Sequence, residues 1–86
     1  MAIECVTKVE DVRQILKSQQ WVVIDFMAEW CGPCKMLGPK LHKLAETHPY
    51  IQFLKVDVDQ MDAAFIQEQA VTAMPTIKFY RSVRHE

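Results

Sequence analysis

The sequence predicts an α/β protein built on a mixed, mostly parallel four-stranded sheet, and three observations carry that prediction. Trp21-Val22-Val23-Ile24-Asp25-Phe26 is a nearly unbroken apolar and β-branched run, the pattern of a strand covered on both faces. A helical stripe of Leu37, Leu41, Leu44 and Ala45 follows, and then a second strand pattern, Ile51-Gln52-Phe53-Leu54-Lys55-Val56. Strand, helix and strand over roughly thirty residues make a βαβ unit, whose crossover is right-handed and whose strands are parallel. Between the first strand and the helix stands Trp30-Cys31-Gly32-Pro33-Cys34-Lys35, a Cys-x-x-Cys pair at a strand-to-helix junction.

The elements follow in order. Ile3 to Val6 is a short apolar segment that supplies the first strand, and Thr7 and Glu10 then have capping-box spacing for a helix start. Val9, Val12, Ile15 and Leu16 give that helix one apolar stripe through about Lys17, with a charged opposite face formed by Lys8, Glu10, Asp11 and Arg13. Residues 21–26 form the next strand, in which Asp25 is the one anomaly. The helix after the cysteines extends to about Thr47 and contains Pro39, which removes a backbone donor and is expected to kink it. The strand at 51–56 leads to a polar loop from Asp57 to Met61 and a short helix from Asp62 to about Gln69. Thr76 to Tyr80 is the fourth strand, preceded by Met74-Pro75.

Composition narrows the function classes. Eighty-six residues allow one domain, 1–86, which buries only about 60–65% of its unfolded surface. Hydrophobic residues make up 50% and charged residues 24%, too apolar for a disordered chain. Ten basic and eleven acidic residues are mixed along the sequence, so no basic stripe exists for nucleic acid or anionic lipid. The start, Met1-Ala2-Ile3-Glu4-Cys5, shows neither a signal peptide nor a membrane-spanning run, and a cytoplasmic location is expected. Three cysteines are too few for a secreted disulfide framework; one working pair and a bystander fit a reducing compartment. Cys5 is expected to be that bystander, a small core hydrophobe, because free Cys is among the most buried residue types.

The junction itself suits dithiol chemistry. The first amides of a helix lack partners within it and its dipole places partial positive charge there, so a thiolate at Cys31 is stabilised. The two-residue spacing returns Cys34 to the same side one turn later, close enough to close a disulfide. A metal-binding pair is the alternative. Two thiols cannot fill a zinc shell, and His42, His48 and His85 lack ligand spacing, so a metal would have to bridge two chains. Asp25 is the only base nearby in sequence for deprotonating Cys34: burial raises its pKa, and Lys55 on the neighbouring strand partly opposes that. The alternative for Asp25 is a buried carboxylate satisfied by Lys55.

These residues resemble the thioredoxin family. Asp25-Phe26, Ala28 to Met36, Pro39, Lys55-Val56-Asp57-Val58-Asp59 and Met74-Pro75-Thr76 fall in the family's order and spacing, from about Ile3 to Tyr80. The resemblance implies a three-layer α/β/α fold and a protein disulfide reductase. It also implies that Cys31 is the attacking thiolate, Cys34 the buried resolving thiol and Pro75 a cis proline facing the pair. Trp30 and Met74 would flank the sulfur as an apolar landing surface, with Gly32, Pro33, Met74 and Pro75 lining the approach of an extended substrate. Pro33 between the cysteines biases the pair toward donating electrons. The implied partners are disulfide-containing proteins and thioredoxin reductase, which supplies the electrons, and no bound cofactor is needed.

Two departures stand out. Met27 replaces the aromatic or small residue usual in the family, which alters packing beside the site. The family's fifth strand and final helix have no counterpart after Tyr80, so the fold is expected to be truncated and its last strand a sheet edge. That edge predicts marginal stability or a covering partner, a homodimer by strand pairing or swapping being one form, with Arg81, Arg84 and His85 blunting it by charge. A truncated binding or regulatory module that captures partners without turnover is the second functional reading, and a metal-bridged dimer the third.

Overall fold

The computed structural model describes residues 3–82, in the order β1 (Ile3–Cys5), α1 (Val9–Ser18), β2 (Trp21–Met27), α2 (Gly32–Thr47), β3 (Gln52–Asp57), α3 (Ala63–Glu68) and β4 (Thr76–Arg81). The sheet runs β1-β3-β2-β4. β3 is parallel to both β1 and β2, whereas β4 is antiparallel to β2. The expected mixed, mostly parallel sheet is therefore present.

β2 explains the layers. Every residue from Val22 to Met27 is buried, and alternation sends successive side chains to opposite faces. Val22, Ile24 and Phe26 join Val12 of α1 and Phe65 of α3 in one core, while Val23 joins Phe53, Leu41 and Ala45 of the α2 side in another. Helices thus cover both faces, which gives three layers. Ile24, Phe26, Leu54, Val12 and Val56 are fully buried, each worth about 1.5–3 kcal/mol of transfer free energy. A contact between Arg13 and Glu68 at 3.3 Å also joins α1 to α3.

Three local expectations are corrected. The capping box at Thr7 is not formed: Val6 N–H donates to Lys55 O at 3.0 Å, so the extended segment runs on, and α1 is capped by Lys8 without a side-chain hydrogen bond. Cys5 is exposed rather than in the core, because it sits on edge strand β1 while Val6 reaches the interior. The short third helix begins one residue later than expected, since Asp62 is its cap, accepting from Ala64 N–H at 2.8 Å. α2 passes through Pro39 and continues to Thr47.

Among the described residues β4 is a sheet edge, with Phe79 exposed and Arg81 stacked 5.0 Å over Trp21. Arg84 and His85 lie outside the described residues.

Candidate dithiol site

β2 delivers the chain to a short loop, Ala28-Glu29-Trp30, and α2 begins directly after Cys31. Cys31 is the helix cap: its backbone is extended, its N–H donates to Ala28 O at 3.1 Å, and its Sγ accepts from Cys34 N–H at 3.2 Å. A hydrogen bond of this kind strengthens when the acceptor is charged, so the geometry favours a thiolate at Cys31. Pro33 sits in the first turn, where its missing N–H costs nothing. Cys31 and Cys34 are joined by a disulfide with Cα atoms 5.3 Å apart.

Met27, Ala28, Cys31 and Cys34 form one small buried cluster, with Val58 and Met74 packed against it. Val58 N–H donates to Met27 O at 2.9 Å, which fixes the loop after β3 beside the sulfurs. The Met74-Pro75 bond is cis. Met74 packs against the sulfur cluster, and Met27 fills the position of the family departure with a flexible thioether.

The expected contrast between an open and a covered cysteine is not what the disulfide form shows. Cys31 and Cys34 are only 4% and 6% exposed, because Met27, Ala28, Val58 and Met74 close around both. Their surroundings differ instead. Cys34 lines a cavity of about 680 Å³ together with Asp25, Lys55, Cys5, Lys35 and His42, and Cys31 does not.

Asp25 is buried, and its Oδ1 has no hydrogen-bond partner. Desolvation raises its pKa above the usual carboxylate range, with the Lys55 charge pulling the other way. Register places Asp25 opposite Lys55 on β3, yet Lys55 does not satisfy the unpartnered oxygen, so the reading of a carboxylate neutralised by a contact ion pair fails.

Trp30 is 68% exposed and lies outside the sulfur cluster; its Nε1–H donates to Asp59 Oδ2 at 2.7 Å. Asp59 N–H in turn donates to Asp57 Oδ1 at 2.9 Å. Sequence reasoning quoted Asp59 only as part of a motif and missed that it anchors Trp30. Gly32 and Pro33 are exposed between the cysteines. Among the described residues no group of three or more His, Cys, Asp or Glu side chains is placed to hold a metal ion.

Comparison with known proteins decides the family. The family model described as Thioredoxin matches residues 3–86. The chain belongs to the thioredoxin family. It is 40% identical over 82 residues to thioredoxin-2 of Pyricularia oryzae, covering 94% of this chain and 47% of that protein. It is 44% identical over 75 residues to mitochondrial thioredoxin-3 of Saccharomyces cerevisiae, covering 87% of this chain and 58% of that protein. A solved thioredoxin of Plasmodium falciparum superposes with a TM-score of 0.86 at 36% identity, over 91% of this chain and 76% of that one. The chain thus spans about half to three-fifths of the length of the first two relatives. Within the thioredoxin fold, the strand end, helix cap and cis-proline loop converge on one disulfide.

Proposed function

We propose that this chain is a protein disulfide reductase of the thioredoxin type. The observation that carries the reading is the Cys31–Cys34 disulfide at the start of α2, with Cys31 Sγ accepting a helix N-terminal amide hydrogen. In the reduced form the Cys31 thiolate attacks one sulfur of a substrate disulfide. The substrate S–S bond breaks, a mixed disulfide forms and one substrate thiolate leaves. Asp25, which lines the same cavity as Cys34, takes the Cys34 proton directly or through water. Cys34 then attacks Cys31 Sγ, restoring the intramolecular disulfide and releasing the second substrate thiol. Two electrons pass to the substrate, with one proton supplied by Cys34 and the other by solvent. Lys55 favours the Asp25 carboxylate that accepts the Cys34 proton, and Trp30, Gly32, Pro33, Met74 and Pro75 receive the substrate backbone.

The reaction needs no resident cofactor, since the electrons arrive by the reverse exchange from a separate reductase, here assigned as thioredoxin reductase. Its substrates are disulfide-containing proteins. We place this electron-transport step in the cytoplasm, where a reducing pool keeps such a pair working. No helix among the described residues is long and apolar enough to cross a membrane.

The test is reduction of a model disulfide protein by the chain and by Cys31→Ser. The intact chain is expected to work well above the small-thiol background, with Cys31→Ser at background and Cys34→Ser accumulating the mixed disulfide. Background activity in the intact chain rejects the reading. Capture of mixed disulfides without turnover would replace it with the binding-module alternative.

A further inference from the structure

β4 holds the end of α3 with two of its own side chains. Lys78 and Tyr80 pair across the sheet with Ile24 and Val22, which face the core that α1 and α3 cover, so both reach the α3 side. There they meet Gln69, the C-terminal cap of α3: the Lys78 ammonium donates to Gln69 O, and the Tyr80 hydroxyl donates to Gln69 Oε1 at 2.6 Å. All three residues are half-buried. A cation at a helix C-terminus is favoured by the helix dipole, and here a neighbouring strand supplies it. The next residue, Ala70, has φ 58°, a left-handed conformation that favours glycine. Its N–H donates to Gln67 O at 2.9 Å and Val71 N–H donates to Ile66 O at 3.3 Å, the paired bonds that close a helix end. An alanine stays in that region only where its surroundings fix it, and the two β4 contacts at Gln69 contribute to doing so. This turn launches the chain toward the sulfurs. Val71 is buried in the main core, Met74 packs against both that core and the sulfur cluster, and the Thr76 hydroxyl closes the far end by donating to Ala73 O at 2.5 Å.

We propose that Lys78 and Tyr80 are positioning residues for disulfide exchange: by fixing Gln69 they set where Met74 and Pro75 stand beside the dithiol, and so how an extended protein substrate is aligned for attack. The inference rests on the reading of Met74 and Pro75 as part of the substrate-receiving surface. Neither Lys78 nor Tyr80 belongs to the sulfur cluster, so each acts through the segment it holds. A small displacement of that segment slows a substrate whose backbone must be aligned, because exchange needs the reacting sulfurs in line. A small disulfide with no backbone to align is indifferent to it. Tyr80→Phe removes one hydroxyl and keeps the ring that packs on the core, and Lys78→Met removes the ammonium and keeps an apolar stem.

The experiment is single-turnover oxidation of the full reduced chain, freed of reductant, by an excess of a model disulfide protein or of the neutral 2-hydroxyethyl disulfide. Acid quenching, alkylation and mass measurement follow formation of the Cys31–Cys34 disulfide, at a temperature where circular dichroism shows every variant folded. The readout is the ratio of the two rate constants, which a change confined to stability or to thiol reactivity leaves in place. Tyr80→Phe and Lys78→Met are each expected to lower the protein-to-small-disulfide ratio about threefold or more. In a Gln69→Met background Tyr80→Phe is expected to have no further effect, since its acceptor is gone. An unmoved ratio in either variant, or an equal effect of Tyr80→Phe with and without Gln69, overturns the proposal while the unsubstituted chain still reduces both disulfides. An unsubstituted chain that reduces neither rejects the reductase reading, and this proposal falls with it.

Discussion

Asp25 concentrates the electrostatics of the site in one side chain. It is buried with an unpartnered oxygen, and desolvation raises its pKa, with Lys55 opposing. In the folded chain it binds its proton more tightly than in the unfolded chain. Its contribution to stability is complete below pH 3.8, the unfolded value, and is lost as pH rises through the higher folded value. Asp25→Asn is expected to flatten that part of the pH profile and to raise stability at neutral pH by about 1–3 kcal/mol. Denaturant unfolding from pH 4 to 8 checks this, and parallel profiles for the two proteins would contradict it. Asp25 was legible in the sequence because it interrupts an otherwise apolar strand, and Lys55 because it lies on the strand expected to neighbour it. Cys5 and Asp59 were not. A small apolar residue type on an edge strand looks like core until the pairing is known, and the Asp59 to Trp30 bond joins residues 29 positions apart.

Among the elements, α1 shows how a tertiary contact overrides a local signal. Thr7 and Glu10 have the spacing of a capping box, but the bond from Val6 N–H to Lys55 O holds the chain extended, and the cap moves to Lys8. Lys8 has cap backbone angles, φ −117° and ψ 135°, but no side-chain acceptor to offer. Lys8→Ser supplies one and removes a positive charge from the helix N-terminus, so the chain is expected to gain about 0.5–1 kcal/mol. A thermal melt that is unchanged or lowered would contradict that. α2 and β2 were predicted with nearly correct bounds, because periodicity and an unbroken apolar run are strong signals where no competing contact intervenes.

The whole molecule follows from one crossover: β2, α2 and β3 form a parallel unit whose first turn carries the disulfide, and every other element covers it or closes around it. The topology was legible because strand–helix–strand spacing leaves few alternatives, whereas the convergence of Met27, Val58 and Met74 on the sulfurs depends on loop paths that no local pattern encodes. Among the described residues β4 pairs on one side only, with β2, and Phe79 is exposed on it, with Trp21 partly exposed under Arg81. The central claim remains the sulfur anion held by the helix end. Alkylation of the reduced chain over a pH series, with each cysteine followed by peptide mass, tests it most directly. Cys31 is expected to react first, with a midpoint below the free-cysteine value of about 8.5 and Cys34 lagging, while both titrating at or above that value would contradict the account.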